Sequence, residues 1–227
     1  MAKLPVLIEF FYDVISPYSY LAFEVIHRYK PVWNINLKLK PMLLGGVMKS
    51  SGNSPPAVVP NKGVYMTQDL RRLQKYFQVP LFLPENLMDL IMKGGSLNAQ
   101  RFITAIDILK PEYLENITRA IWQRLYEQHK DISTSASFRE AAESIGIEKD
   151  VLERSLIMMN EDKVKQRLRK YTEEALDYGA FGAPMIVAHI NNKPEVFFGS
   201  DRFELLAHVL GKKWQGPVPE DVPFSKL

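Results

Sequence analysis

The 227-residue sequence contains no cysteine. Disulfide bonds, thiolate metal sites and a cysteine nucleophile are therefore excluded, and any sulfur chemistry must come from a ligand. Histidine is also scarce, and its four occurrences form no paired metal motif. We expect His27, His129, His189 and His208 to be ordinary packing or surface residues, and we predict no metal site.

Long apolar runs are missing as well. None approaches the roughly 18 residues that a membrane helix needs, and the start MAKLPVLIEF lacks the apolar core and cleavage site of a signal peptide. We therefore expect a chain that neither spans a membrane nor is secreted. The net charge of +3 is spread without long runs, which favours neither a nucleic acid nor a membrane partner. The 46% hydrophobic composition is ample for a large core.

The apolar pattern divides the chain into three parts. A buried strand at 6–12, a helix that begins at Ser16 and Pro17, and a second strand at 36–42 predict β-α-β. Residues 45–60 have the composition of a loop. Helical spacing then recurs at residues 69–77, 99–109, 113–126 and 161–178. After GAFGAP, the segments MIVAHI and EVFF and a last helix predict β-β-α.

This order of elements predicts an α/β chain with a thioredoxin-like domain and an inserted all-helical domain. We place the first part of the thioredoxin-like domain at residues 1–62 and the inserted domain at 63–177. The second part and the C-terminal tail occupy 178–227. In such an arrangement the turn after the first strand, here Ser-Pro-Tyr-Ser at 16–19, is the expected active site.

Four segments carry a specific resemblance: FFYDVISPYSY, SGNSPP with NKG, YGAFGAP and FGSDRFELLAHVLG. In this order and spacing the chain resembles the kappa-class glutathione transferases from about Leu4 to Trp214. That class is similar to the DsbA-type disulfide oxidoreductases with a helical insertion and to the glutathione-dependent 2-hydroxychromene-2-carboxylate isomerases. The resemblance implies a homodimeric enzyme that uses glutathione as co-substrate and needs no other cofactor. Implied reactions are conjugation to hydrophobic electrophiles and reduction of organic hydroperoxides.

Ser16 is the residue to which the resemblance gives a catalytic role. A helix N-terminus has a positive potential that favours an anion, and a serine hydroxyl can donate a hydrogen bond to a glutathione thiolate. The residues alone favour a simple N-cap role for Ser16, since serine is a preferred cap, and the resemblance reverses that preference, although both roles can coexist. Pro17 and Tyr18 shape the first turn, where Tyr18 either lines the sulfur pocket or packs. Ser19 stands in place of a second redox cysteine, so the motif cannot cycle electrons.

The resemblance assigns the cysteinyl and glycyl parts of glutathione to two further segments. Pro184 occupies the place of the cis-proline of thioredoxin-like domains, and the backbone of Ala183 would pair with the cysteinyl peptide like an added strand. Asn53 and Lys62, in the predicted polar loop, would hold the glycyl carboxylate. Without the resemblance, a turn asparagine and a solvated lysine are the expected interpretations.

The start of the last helix is the implied site for the γ-glutamyl end. Helix-start N–H groups and the Ser200 hydroxyl would hold its α-carboxylate, while Asp201 would pair with its ammonium group. Arg202, of the same or of a neighbouring subunit, would add a carboxylate contact. The structural alternative is that Asp201 and Glu204 form a helix-capping pattern.

Other candidate sites receive weaker support from the sequence. Met48, Tyr65 and Met66 could form an apolar wall for the electrophile, although core packing explains them equally well. The stretch GGVMKSSG lacks the spacing of a phosphate-binding loop, so we reject nucleotide binding. A glutathione-dependent cis-trans isomerase remains an alternative function, as does a non-enzymatic carrier of apolar ligands.

The last three residues, Ser225, Lys226 and Leu227, match the peroxisomal address that an import receptor reads at a free C-terminus. We therefore expect a peroxisomal location and the import receptor as a partner. The family resemblance also makes a mitochondrial location possible.

Overall fold

The computed structural model of the chain describes residues 5–85, 87, 95–191 and 193–220; the predicted address at 225–227 lies outside them. The first part contains β1 (Val6–Tyr12), α1 (Pro17–Trp33), β2 (Ile35–Pro41) and α2 (Leu44–Ser51). The helical part contains α3 (Pro60–Phe77), α4 (Leu97–Leu109), α5 (Leu114–Tyr126), α6 (Ser135–Ser144), α7 (Lys149–Met158) and α8 (Asp162–Asp177). The last part contains β3 (Met185–Ile190), β4 (Lys193–Phe198) and α9 (Phe203–Leu210).

The four strands form one mixed sheet in the order β2-β1-β3-β4. β1 pairs in parallel with β2, from Val6 opposite Ile35 to Tyr12 opposite Pro41. β3 runs antiparallel to both β1 and β4. This sheet and the order of its elements confirm the predicted α/β class with a thioredoxin-like arrangement.

β1 is buried from Ile8 to Tyr12, as its two apolar faces predicted. The helical part packs against one of these faces, because the rings of Tyr12 and Trp122 lie 5.4 Å apart and the Tyr12 hydroxyl bonds Thr118 at 2.8 Å. The sheet and the inserted helices therefore share one hydrophobic core. That shared core holds the end of β1, where the candidate active site begins, against the insertion.

The predicted loop at 45–60 is wrong in part, because its first half is helix α2. Two adjacent glycines argue against a helix locally. Tertiary contacts outweigh them: Val47 is fully buried, and the backbone N–H of Leu43 donates to Thr172 Oγ1 of α8 at 3.0 Å. A one-turn 3₁₀ helix at Pro56–Val58 interrupts the second half.

Helix α3 begins nine residues earlier than the predicted helix at 69–77, since it starts at Pro60 rather than Asp69. The domain boundary predicted after Lys62 therefore falls inside the first turn of α3. The boundary predicted after Asp177 coincides with the last residue of α8. No helix was predicted at Lys149–Met158, where the structure contains α7.

Candidate active site

Ser16 links the start of α1 to the turn before β3. Its backbone is extended, and its Oγ accepts a hydrogen bond from the backbone N–H of Ser19 at 3.1 Å, which confirms the predicted N-cap. The same hydroxyl donates to the carbonyl oxygen of Ala183 at 3.2 Å. Ser16 is buried, so both bonds lie largely out of water. This hydroxyl is positioned at the positive end of a 17-residue helix.

The two residues after Ser16 begin α1. Pro17 takes the first helical position, where a backbone N–H would have no partner within the helix, so the missing N–H of proline costs nothing. The hydroxyl of half-buried Tyr18 donates to Asp69 Oδ2 of α3 at 3.2 Å. Burial, followed by the nearby Asp69 carboxylate, raises the pKa of Tyr18 above its ordinary value, so its hydroxyl remains a donor at neutral pH.

Ser19 is fully buried, and its hydroxyl has no hydrogen-bond partner among the described residues. A serine hydroxyl at this position cannot form a disulfide with a neighbouring thiol. The turn from Ser16 to Ser19 therefore occupies the position of a redox motif, but its side chains can form hydrogen bonds and cannot form a disulfide.

The peptide bond between Ala183 and Pro184 is cis, as the place of Pro184 in a thioredoxin-like domain suggested. Ala183 is half-buried, and its carbonyl accepts the Ser16 bond. The carbonyl of Pro184 accepts from the backbone N–H of Gly199 at 3.0 Å. Three predicted segments, around Ser16, Ala183 and Ser200, are thus joined by a short chain of contacts.

The segment before α9 differs from its prediction. The helix begins at Phe203, its N-cap is Arg202, and no side chain caps it, so the capping pattern predicted for Asp201 and Glu204 is wrong. Ser200 and Asp201 lie instead in the preceding turn, where Ser200 is buried. The carboxylate of exposed Asp201 is bonded by Arg202 Nη2 at 2.8 Å. The turn can therefore offer both an anionic and a cationic group to a zwitterionic ligand.

The side chain of Asn53 connects the end of α2 to the segment before Ala183. Asn53 follows α2, and its Nδ2 donates to the carbonyl of Phe181 at 2.6 Å, while its Oδ1 accepts from the backbone N–H of Ser54. Asn53 thereby fixes the segment that leads to Ala183. Its amide is exposed, so a ligand can reach it.

Lys62 was predicted in a loop but lies in the first turn of α3, because that helix begins at Pro60. Its side chain is exposed, and no hydrogen bond or ion pair joins it to the other candidate residues within the described part. Its helix does link it to the turn after β1, since Asp69 of α3 accepts a hydrogen bond from Tyr18.

The predicted electrophile wall is only partly exposed. Met66 packs against the main core, and Met48 is half-buried in α2. Tyr65 of α3 remains 60% exposed. Core packing therefore explains Met66 better than contact with a second substrate does.

Asp13, for which no role was predicted, lies three residues before Ser16. Its fully buried carboxylate accepts bonds from the backbone N–H of Ile15 at 3.1 Å, that of Leu44 at 2.8 Å and the Ser96 hydroxyl at 2.8 Å. Burial raises the pKa of Asp13 to about 6, although these hydrogen bonds oppose the rise. The sequence signal that could have drawn attention to Asp13 is its position as an acidic residue in an otherwise apolar run.

Within the described ranges, no group of metal-binding side chains comes together, and no helix is long and apolar enough to cross a membrane.

Comparison with known proteins places this chain in a family. The family model of the DSBA-like thioredoxin domain matches residues 7–211. Glutathione S-transferase kappa 1 of Homo sapiens is 46% identical over 222 residues, which cover 98% of this chain and 98% of that protein. The chain belongs to the kappa-class glutathione transferase family.

More distant relatives share the fold of this kappa-class chain. The 2-hydroxychromene-2-carboxylate isomerase of Sphingobium xenophagum is 26% identical over 206 residues, covering 89% of this chain and 97% of that protein. A solved 2-hydroxychromene-2-carboxylate isomerase structure superposes with a TM-score of 0.74 at 18% identity, covering 90% of this chain and 94% of the other. The superposition supports the thioredoxin-like fold with a helical insertion.

Proposed function

We propose that the protein binds reduced glutathione with its sulfur at Ser16 and uses the thiolate to attack hydrophobic electrophiles. The observation that carries this proposal is the position of the Ser16 hydroxyl, at the N-terminus of α1 and in contact with the Ala183 carbonyl. Kappa-class membership supports a glutathione transferase as the enzyme type.

Two features of the site favour the thiolate over the thiol. The N-terminus of α1 supplies a positive potential, an environment that lowers the pKa of thiols. The Ser16 hydroxyl can turn from Ala183 to donate to the sulfur, because a hydroxyl hydrogen rotates freely. The thiol proton passes to solvent, and the negative sulfur stays between a helix terminus and a hydrogen-bond donor.

Conjugation then follows from positioning. With an aryl halide, the sulfur forms a bond to the carbon that carries the halogen, and the halide leaves with the electron pair of the broken bond. With an organic hydroperoxide, sulfur attacks the terminal oxygen, the O–O bond breaks and an alcohol leaves. A second glutathione then converts the glutathione sulfenic acid to the disulfide and water. The protein's part in each case is to hold and ionise the thiol.

The remaining groups of glutathione fit the segments around Ser16. The backbone of Ala183 would pair with the cysteinyl peptide. Ser200 would bind the γ-glutamyl carboxylate, and Asp201 its ammonium group after partial release from Arg202, which would then add a carboxylate contact. Asn53 and Lys62 would hold the glycyl end, with Lys62 contributing mainly its charge.

A glutathione-dependent isomerase is the second candidate function, since the isomerase relatives share the fold. The higher identity to a kappa-class transferase favours conjugation. A screen of aryl halides, hydroperoxides and hydroxychromene carboxylates separates the two functions. The apolar-carrier hypothesis has less support, because six of the twelve residues that line a cleft of about 590 Å³ at the edge of β2 are charged, among them Lys38, Asp107 and Glu115.

The deciding experiment is a pH titration of the thiolate absorbance of bound glutathione in the ultraviolet, with affinity measured by calorimetry. We expect the wild type to bind glutathione and lower its thiol pKa, and Ser16→Ala to bind but lose much of that shift. Thr134→Ala is the matched control, because Thr134 caps α6 in the same way as Ser16 caps α1. Absence of binding by the wild type refutes the proposal. Equal ionisation in wild type and Ser16→Ala leaves Ser16 as a cap only.

We also propose a homodimer, on the strength of the family resemblance and of apolar side chains exposed on α3 and before it. Val58, Val59, Val64 and Tyr65 are 43–61% exposed, and such a patch favours a contact with another surface. Light scattering that gives the mass of one chain at working concentration would count against a dimer.

The peroxisomal location stays a proposal that rests on Ser225, Lys226 and Leu227 alone. A fluorescent protein fused ahead of the chain, with and without these residues, tests it. Diffuse fluorescence from both fusions removes the proposal.

A further inference from the structure

Phe181 and Phe198 form an aromatic pair on the protein surface. Their ring centroids are 4.4 Å apart at an interplanar angle of 45°, yet the two residues are 45% and 41% exposed. Single exposed apolar residues are ordinary, but two aromatic rings that pack together and remain exposed present a continuous apolar face.

The pair borders the proposed glutathione site on two sides. The carbonyl of Phe181 accepts the Asn53 amide at 2.6 Å, and Ala183, two residues further along, contacts the Ser16 hydroxyl. Phe198 is the last residue of β4 and lies opposite Met185, just after Pro184. The backbone that carries both rings therefore adjoins the residues proposed to hold the cysteine of glutathione.

Gly182 allows this placement. A Cβ atom at Gly182 would lie 2.9 Å from Cε2 of the Phe198 ring, which is closer than non-bonded carbon atoms approach each other. The absence of a side chain lets the ring lie against the backbone that leads to Ala183. In the sequence Phe-Gly-Ala-Pro at 181–184, Phe181 supplies one ring and Gly182 leaves space for the ring of Phe198. The carbonyl of Ala183 accepts the hydrogen bond from Ser16.

We propose that Phe181 and Phe198 form the electrophile platform, which binds planar, electron-poor aromatic electrophiles such as nitro-substituted aryl halides. An electron-poor ring is attracted to the negative faces of phenylalanine rings, and the platform would hold its halogen-bearing carbon near the sulfur at Ser16. This inference rests on the proposed function. It assigns the aromatic contact to these phenylalanines rather than to Met48, Met66 or Tyr65.

The test measures selectivity rather than activity alone. We would determine kcat/KM for 1-chloro-2,4-dinitrobenzene and for a linear alkyl iodide, at saturating glutathione, in the wild type, Phe181→Leu and Phe198→Leu. Leucine keeps an apolar side chain but removes the aromatic face. We expect the aryl-to-alkyl ratio to fall about two- to tenfold in each variant, chiefly through KM for the aryl halide, which is the factor that an aromatic contact contributes.

Two controls make the result specific. Phe82→Leu removes a phenylalanine that is 50% exposed but lies after α3, where its backbone bonds Tyr126 at the end of α5, and should leave the ratio unchanged. Phe181→Tyr keeps the aromatic face and should retain the wild-type ratio. Calorimetry with glutathione and light scattering accompany each variant.

The outcomes separate this proposal from the one on which it rests. If the wild type binds no glutathione, both fail. If it binds and ionises glutathione but the aryl-to-alkyl ratio is the same in wild type and both leucine variants, only the platform fails. A leucine variant that turns a dimer into a monomer without changing the ratio assigns the pair to a subunit contact and also overturns the platform. A fall in the ratio in either leucine variant, with Phe82→Leu unchanged, supports it.

Discussion

The Oγ atom of Ser16 lies 3.2 Å from the carbonyl oxygen of Ala183, a contact between residues 167 positions apart in the chain. It joins the N-terminus of α1 to the turn before β3. A cysteinyl residue bound here would therefore have its thiolate near a helix N-terminus and its peptide near the backbone of Ala183, with which it could pair.

Replacement of Ser16 by alanine should lower stability as well as thiol ionisation. The variant loses the bond from the Ser19 N–H and leaves the Ala183 carbonyl without its donor, so we expect a loss of about 1–2 kcal/mol in the free energy of unfolding. Thr134→Ala should lose about 1 kcal/mol. Urea unfolding measures both. If Ser16→Ala were as stable as the wild type, the two bonds would contribute little in solution.

Asp13 should make stability depend on pH in the direction opposite to a salt-bridged carboxylate. Its pKa is about 6 in the folded chain against 3.8 for an ordinary aspartate, so the folded state holds the proton more tightly. The contribution of Asp13 to the free energy of unfolding therefore falls as the pH rises from about 4 to about 6. Between pH 4.5 and pH 7 the decrease amounts to about 2 kcal/mol.

The Asp13→Asn variant isolates this effect, because asparagine does not titrate. Urea unfolding of wild type and variant should give a stability difference that is about 2 kcal/mol larger at pH 4.5 than at pH 7, in favour of the wild type. The variant should also be less stable at both pH values, since an amide N–H₂ would face the N–H of Leu44. A difference that does not change with pH would contradict a raised pKa.

Lys40 on β2 holds a buried carboxylate on β1. Its Nζ lies 2.6 Å from Glu9 Oε1 and 2.5 Å from Glu174 Oε2, and His189 Nε2 contacts Glu9 at 2.9 Å. Burial acts to raise the pKa of Glu9, but the bond from Lys40, followed by the one from His189, outweighs it and holds that pKa below 4.5. Glu9 therefore contributes stability above about pH 4.5, and this contribution is lost as the pH falls through its folded pKa.

Lys40→Met should cost about 3 kcal/mol near pH 7, at the low end for a broken buried pair because His189 still contacts Glu9. The deficit should shrink as the pH falls towards 4, where Glu9 takes up a proton. Lys38→Met is the matched control on the same strand: Lys38 is exposed, makes no ion pair in the part of the chain described, and should change stability by less than about 0.5 kcal/mol. Similar losses in both variants would show that the pair with Glu9 is not the cause.

Local signals in the sequence were sufficient where short-range physics decides the structure. The alternating apolar run of β1 and the Ser16-Pro17 start of α1 each specify their element within a few residues. The order of the motifs added the expectation that Ala183 and Ser200 lie near Ser16, and hydrogen bonds do join these three segments. These predictions depend little on what the rest of the chain does.

Predictions failed where distant contacts decide. Helix α2 contains Gly45 and Gly46 and forms because Val47 is buried and Thr172 binds the preceding backbone. The contact of Phe198 with Gly182 joins two segments, and nothing in either segment alone indicates it.

Gly199 should be required for the geometry of the turn that carries Ser200 and Asp201. Its φ of +103° is a conformation that other residues rarely adopt, and a Cβ there would lie 2.7 Å from Asp201 Oδ1. Gly199→Ala should therefore lower the free energy of unfolding by about 1–3 kcal/mol and displace the Asp201 carboxylate. If Asp201 binds the ammonium group of glutathione, the glutathione KM should rise with little change in kcat.

Gly45→Ala provides the comparison for this variant. Gly45 lies in α2, has no atom within 4 Å of an added Cβ and does not have a positive φ, so alanine should leave stability equal or raise it by up to about 1 kcal/mol. Urea unfolding and steady-state kinetics on both variants distinguish backbone strain at Gly199 from a general effect of an added methyl group. An unstable Gly199→Ala with an unchanged glutathione KM would separate the fold from the site and remove Asp201 from the proposed binding residues.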